Sequence, residues 1–215
     1  MTRVIAGAAG GRRLSVPPGT STRPTSDRAR EGLFASLVSE FGDLSRLRVL
    51  DLYAGSGAVG LEALSRGAAR VLLVESDARA AAVIKANIGA VALPGAAVAA
   101  DRVERLLARP PDGDRYDLAF ADPPYAVTDE AVARVLAQLG NGWLAEGALI
   151  VVERATRSGA LDWPPGYAAA KSRRYGEATF WYGWFGSGAE ADPSEQPRKA
   201  APAPSFDAPH GALEE

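Results

Sequence analysis

Apolar positions along the chain switch repeatedly between a run of buried-type residues and a helical spacing, and the switching predicts an α/β fold. Arg48–Tyr53, Arg70–Glu75, Ala96–Ala100, Tyr116–Ala121 and Ala148–Glu153 read as strands. Between them Ala58–Ser65, Ala78–Ile88, a short stretch ending near Arg109, and Asp129–Leu139 read as helices, with Gly67 closing the first. Near-continuous apolar strands between helices belong to a parallel sheet covered on both faces. Two further strands, Tyr167–Arg174 and Ala178–Trp184, flank Tyr175-Gly176-Glu177 and predict an antiparallel hairpin at the end of that sheet. Its aromatics, Phe180, Trp181, Tyr182, Trp184 and Phe185, read as core and edge cover rather than a base-stacking surface.

Before the sheet, Arg3–Gly7 and Arg12–Pro17 predict a small hairpin turning at Ala8–Gly11. A helix then runs to about Phe41, with Leu33, Phe34, Leu37, Val38 and Phe41 on one face. The organisation expected is an N-terminal extension over 1–42, a catalytic domain over 43–186 and a tail over 187–215. The tail holds five prolines and only Phe206 and Leu213 as bulky apolar residues, too little to offset its ordering entropy.

Composition narrows the chemistry. The 215 residues include no cysteine, and the only histidine, His210, lies in the tail. A thiolate nucleophile, a histidine base and a thiolate or multi-histidine metal site are thereby excluded, so no metal is expected. No apolar run approaches the ~18 residues of a membrane span, and the N-terminus does not read as a signal peptide, so a cytoplasmic protein is expected. The net charge of −2 is unevenly spread. Residues 1–30 carry six arginines against Asp27, a balance of +5, while residues 187–215 balance at −4. A basic arm on a near-neutral body suits a polyanion partner, although a solvated arginine face has the same composition.

The chain is organised around Asp51-Leu52-Tyr53-Ala54-Gly55-Ser56-Gly57-Ala58-Val59-Gly60. A strand ends in an acid, turns on glycines and opens into a helix, as nucleotide-like cofactors require. The spacing of Gly55, Gly57 and Gly60, with Glu75 about twenty residues on, also satisfies a dinucleotide fingerprint. Asp51 argues against that reading, because a carboxylate repels a pyrophosphate and attracts a cation. S-adenosylmethionine carries a sulfonium and an α-ammonium and no phosphate. Asp51 with the turn residues Tyr53, Gly55, Ser56 and Gly57 is expected to hold its methionine end. Glu75 with Ser76 is expected at the ribose, and Asp101 with Arg102 at the adenine.

Asp122-Pro123-Pro124-Tyr125, at the end of the fourth sheet strand, selects methyl transfer over hydride transfer. The lone pair of a nucleobase amine is delocalised into the ring. If the Asp122 carboxylate and the Pro123 carbonyl both accept from that NH₂, its nitrogen is drawn toward a tetrahedral, nucleophilic state. Two prolines fix the carbonyl's direction, and Tyr125 can stack on a flipped base. Asp122 therefore counts among both catalytic and cofactor-facing residues. Methylation of a pyrimidine carbon generally needs a cysteine adduct, which this chain cannot form.

With these residues in hand, the sequence resembles the bacterial 16S rRNA guanine-N2 methyltransferases of the RsmD type over residues 3–185. Arg3-Val4-Ile5-Ala6-Gly7, Arg23-Pro24-Thr25-Ser26-Asp27-Arg28-Ala29-Arg30-Glu31, Gly60-Leu61-Glu62-Ala63-Leu64-Ser65-Arg66-Gly67 and Asp122–Tyr125 carry the resemblance. It implies a Rossmann-like methyltransferase fold and S-adenosylmethionine as cofactor. It also implies methylation at N2 of one guanine in the P-site region of 16S rRNA, within the assembled small subunit. RNA contacts are implied for Arg3, Arg12, Arg13, Arg23, Thr25, Arg28 and Arg30. The competing readings are a DNA adenine-N6 methyltransferase, a protein glutamine-N5 methyltransferase, and a non-catalytic nucleotide-sensing or RNA-binding protein. The first usually needs a target-reading domain, and the second typically carries Asn where Asp122 stands.

Overall fold

A computed structural model describes residues 2–18, 27–111, 113 and 115–186. Its centre is a seven-stranded sheet: β3 (Arg48–Leu52), β4 (Arg70–Val74), β5 (Ala96–Ala99), β6 (Tyr116–Ala121), β7 (Leu144–Ala155), β8 (Tyr167–Tyr175) and β9 (Ala178–Phe185). The spatial order is β5-β4-β3-β6-β7-β9-β8. The first five strands in that row pair in parallel, and β9 and β8 complete the sheet antiparallel. This is the doubly wound Rossmann-like arrangement expected from the sequence.

Strand parity explains why both faces are apolar. Val49, Val71, Leu73, Leu118, Phe120, Leu149 and Val151 point to one side. There they pack against α1 (Asp27–Phe41), α2 (Ala58–Ser65) and α3 (Ala78–Val91). Leu50, Leu52, Val74, Ala119, Ala121, Ile150 and Val152 point to the other, against α4 (Val103–Leu107) and α5 (Asp129–Gly140). Each such side chain contributes about 1.5–3 kcal/mol on full burial. Side-chain caps start two of the helices: Asp77 accepts from the Ala80 N–H of α3, and Thr128 from the Ala131 N–H of α5. Among the described residues, no helix is long and apolar enough to cross a membrane.

The N-terminal extension enters this same core. Val4, Ala9, Leu14, Leu33, Phe34 and Leu37 belong to the α1–α3 side of it, whereas Val38, expected with them, is 42% exposed. The hairpin strands are shorter than the sequence suggests, β1 covering Thr2–Arg3 and β2 Arg13–Leu14. Between them the backbone bonds both within the turn, as from the Gly11 N–H to the Val4 carbonyl, and to α2. Fully buried Glu62 accepts from the Ile5 and Ala6 N–H groups at 2.6 and 3.0 Å, and from Arg66 Nε at 2.7 Å. Ser65 Oγ donates to the Ala6 carbonyl and accepts from the Ala9 N–H. A Cβ at Gly7, whose φ is +83°, would lie 1.9 Å from the Ser65 carbonyl oxygen, so only glycine permits this approach.

Candidate active site

Adjacent parallel strands β3 and β6 carry their helices to opposite faces of the sheet, and the crevice at their carboxyl ends is the usual ligand position in such folds. Asp51 lies opposite Phe120 and Leu52 opposite Ala121, so the glycine turn and Asp122-Pro123-Pro124-Tyr125 leave the sheet side by side. A cleft of about 360 Å³ opens between them, within the usual volume range of small-ligand sites.

The glycine turn is built for close packing. Gly57, at φ +76°, caps α2, and a Cβ there would meet Leu73 Cδ2 at 2.8 Å. Gly60 N–H donates to Asp51 Oδ2 at 2.8 Å, and a Cβ at Gly60 would come to 3.0 Å from that oxygen. The Gly55 N–H donates to Glu75 Oε2, whose other oxygen accepts from the Asp77 N–H. Glu75 thus braces the turn from the neighbouring strand and keeps lone pairs in the cleft. Tyr53 adopts a left-handed φ of +58°, an arrangement that costs non-glycine residues energy and clusters at functional sites. Its hydroxyl donates to Glu104.

The electrostatics of the cleft are one-sided. Among the described residues, Asp51, Glu75, Asp77, Asp122 and Glu153 line it against Arg79 alone of the basic side chains. Burial pushes the Asp51 carboxyl up to about 7; the Gly60 hydrogen bond opposes this and Glu75 reinforces it. Asp122 reaches the cleft surface, yet its carboxyl is enclosed by protein. Burial first, then Glu153 and Asp51, raise it well above the usual carboxylate range, while Arg154 pulls it down. Two buried acids that resist ionisation, set among further carboxylates, favour a cationic occupant and disfavour a pyrophosphate. A sulfonium with an adjacent ammonium meets that requirement.

Of the cofactor residues expected from sequence, Asp51, Tyr53, Gly55, Ser56, Glu75, Ser76 and Asp122 line the cleft, and Gly57 supports it from behind. Asp101 and Arg102 do not line it. The Asp101 carboxylate is taken by Arg109, at 2.7 Å, and by Arg105, which the α4 turn brings back toward the strand end. An adenine contact of the kind expected of that pair would have to compete with these two ion pairs. Pro123, Pro124 and Tyr125 line the cleft, and Tyr125 is 61% exposed. Arg154, almost fully buried, donates to the Val127 carbonyl and to Asp129, fixing the loop that follows the motif.

Sequence reasoning missed three parts of this site. Glu153 stands two residues before the end of β7, and reading Ala148–Glu153 as a strand puts it where the rule used for Asp51 and Glu75 finds it. Val16, Pro17 and Pro18 form one wall of the cleft. They are held there by Asn87 of α3, which donates to the Ser15 and Ser56 carbonyls and accepts from the Ser15 N–H. No local signal marks that long-range bridge.

The arginines divide. Arg3, Arg13 and Arg28 are exposed, while Arg23 and Thr25 lie outside the described residues. Arg30 corrects the expectation: it is fully buried and donates to Thr2 Oγ1, the Arg3 carbonyl and Asp27. Arg12 is exposed but its guanidinium is spent on the Ala90 and Val91 carbonyls, at the C-terminus of α3. Both hold the extension together rather than face a ligand.

Comparison with known proteins agrees with this geometry. The family described as Conserved hypothetical protein 95 matches residues 2–184. Ribosomal RNA small subunit methyltransferase D of Escherichia coli strain K12 is 35% identical over 180 residues, covering 83% of this chain and 87% of that one. The solved structure of yhhF from Escherichia coli superposes with a TM-score of 0.75 at 32% identity, over 86% of this chain and 98% of that one. Magnesium protoporphyrin IX methyltransferase of Synechocystis PCC 6803, solved with S-adenosylmethionine bound, shares the fold alone. Its TM-score is 0.58 at 16% identity, over 74% of this chain and 78% of that one. The strand-end acids, the braced glycine turn and these likenesses place the chain in one family: it belongs to Conserved hypothetical protein 95, the S-adenosylmethionine-dependent methyltransferases that include ribosomal RNA small subunit methyltransferase D.

Proposed function

We propose that the protein transfers a methyl group from S-adenosylmethionine to the exocyclic N2 of one guanine in 16S rRNA, in the P-site region of the assembled small subunit in the cytoplasm. The observation that carries this reading is the pairing, across one acidic cleft, of the glycine turn with Asp122-Pro123-Pro124-Tyr125. The rRNA substrate is supported by the name of the Escherichia coli relative, and the choice of guanine N2 by resemblance to the RsmD-type enzymes.

In this mechanism Asp51 would hold the cationic methionine end of S-adenosylmethionine, with Tyr53, Gly55 and Ser56 lining its site, and the bound donor would supply an electrophilic methyl group. The flipped guanine stacks on Tyr125, and its amino group donates to the Asp122 carboxylate and the Pro123 carbonyl. The N2 lone pair attacks the methyl carbon as the C–S bond breaks, leaving a neutral thioether and a cationic amine. That amine then loses a proton. Asp122, whose proton affinity is raised by burial and by Glu153, is placed to accept it. Aligning nitrogen, methyl and sulfur is chiefly positioning, an effect that can be worth ~7–11 kcal/mol. Arg3, Arg13, Arg23, Thr25 and Arg28 remain the RNA-contacting set of the 1–42 extension.

The test is incubation of the protein and labelled S-adenosylmethionine with unmodified small subunits, naked 16S rRNA, duplex DNA and a protein fraction in parallel. Label at a single position of the rRNA, strongest in assembled subunits, is expected. Label in DNA adenine or in protein glutamine would transfer the reading to those acceptors. Failure to bind S-adenosylmethionine at all would favour a non-catalytic protein.

A further inference from the structure

A second cleft, of about 370 Å³, adjoins the first, and Tyr125 lines both. Its other walls are Ala155, Thr156 and Arg157 at the end of β7, and Arg174 and Glu177 at the β8–β9 turn. Topology brings these together. β7 runs parallel to β6, so its carboxyl end emerges beside the Asp122 motif. β9 returns antiparallel, with Ala178 opposite Ala155 on one side and Tyr175 on the other. The turn between β8 and β9 therefore lands on the edge of the sheet where methyl transfer takes place.

The walls are fixed by hydrogen bonds rather than by loose loops. The Thr156 N–H donates to the Glu177 carbonyl at 2.7 Å, and the Thr156 and Thr179 hydroxyls bond at 3.0 Å. Arg174 Nε donates to the Gly176 carbonyl at 3.0 Å, which anchors the base of its guanidinium. Arg157 and Arg174 are both exposed. Polarity reverses across Tyr125. Among the described residues the first cleft has five acids against one arginine, and the second has two arginines against Glu177. An exposed aromatic ring stands at the boundary. A cationic donor with a neutral base on one side, and an anionic backbone on the other, fit this division. Arginine presents paired donors that match phosphate oxygens.

We propose that the second cleft is a phosphodiester subsite, in which Arg157 and Arg174 hold the backbone of the RNA strand flanking the target nucleotide while its base enters the first cleft over Tyr125. This rests on the RNA methyl transfer proposed above. It places RNA recognition on the C-terminal hairpin as well as on the N-terminal extension.

The experiment compares the full-length protein with R157Q/R174Q and R157K/R174K. The unaltered protein must first methylate rRNA; if it does not, the underlying assignment fails before any variant is made. Given that activity, R157Q/R174Q is expected to bind S-adenosylmethionine within about twofold of the unaltered protein by calorimetry, which also reports that it is folded. Its KM for RNA should rise at least about tenfold. The slope of log Kd for RNA against log salt should become shallower by about 1.5, since each phosphate contact contributes ~0.7–0.9. R157K/R174K, which keeps the charges, should regain most of that slope. An RNA affinity and salt slope unchanged in R157Q/R174Q would overturn the proposal.

Discussion

The Asp51 carboxylate accepts a 2.8 Å hydrogen bond from the Gly60 N–H while almost wholly excluded from solvent. One acid thereby joins the end of β3 to the first turn of α2. Its proton affinity is a consequence of that position. With a carboxyl raised from 3.8 to about 7, the folded state holds a proton that the unfolded chain releases. The resulting stabilisation is fully present below about pH 4 and is lost as pH rises through about 7, a change on the order of 4 kcal/mol.

Asp51→Asn removes that titration. Its unfolding free energy should exceed that of the unaltered protein at pH 8 and match it more closely near pH 4, as read by denaturant melts across this range. Affinity for S-adenosylmethionine should fall at least about tenfold at pH 8, because the carboxylate no longer meets the cation. In the unaltered protein, that affinity should weaken as pH falls below about 7. A pH-independent affinity would remove Asp51 from the cation site.

Asp122→Ala should abolish methyl transfer, by at least about a thousandfold in kcat, while calorimetry shows S-adenosylmethionine binding largely retained. Loss of binding together with turnover would make Asp122 a cofactor anchor rather than the acceptor of the substrate amine.

Asn87→Ala leaves the Ser15 N–H and the Ser15 and Ser56 carbonyls without this partner. Ser15 is exposed, so a cost of about 1–3 kcal/mol in stability is expected, chiefly for the buried Ser56 carbonyl left unpaired. The Val16–Pro18 wall should loosen, and affinity for S-adenosylmethionine should drop several-fold in calorimetric titration. Unaltered affinity would mean that this wall stands without Asn87.

The arginines of the extension should separate by burial. Arg30→Ala should lower the thermal midpoint and cost about 2–3 kcal/mol, because its buried hydrogen bonds are to Thr2, the Arg3 carbonyl and Asp27. Combined Arg3→Ala, Arg13→Ala and Arg28→Ala should leave the midpoint nearly unchanged and reduce the salt dependence of RNA binding. If both variants altered only stability, the RNA face would lie elsewhere on the protein.

These contrasts follow the boundary between what sequence can and cannot convey. The parallel sheet was legible because its strands are buried on both faces and read as apolar runs. The start of β7 was not, since Glu146 and Gly147 interrupt the apolar pattern while the strand still extends from Leu144 to Ala155. The N-terminal hairpin looked longer than its two paired positions because Val4–Gly11 is apolar and turn-forming. Besides its own turn bonds, it bonds to Glu62 and Ser65, more than fifty residues away. Asp51, Glu75 and Asp122, which strand ends, the glycine turn and the Asp-Pro-Pro-Tyr motif single out, line the cleft. Asp101 followed the same rule but is claimed by Arg105 and Arg109, and an ion pair across a helix turn leaves no mark in a strand pattern. Arg30 carries the clearest lesson: an arginine buried against a hydroxyl, a backbone carbonyl and a carboxylate has the same letter as one that awaits a phosphate.

The central claim is chemical transfer to one atom of one base. Unmodified small subunits should be incubated with isotope-labelled S-adenosylmethionine, and the rRNA digested to nucleosides and separated against standards. The label should appear as N2-methylguanosine at a single site with the unaltered protein, and be absent with Asp122→Ala. Label recovered as N6-methyladenosine, or an undiminished N2-methylguanosine signal with Asp122→Ala, would contradict the account.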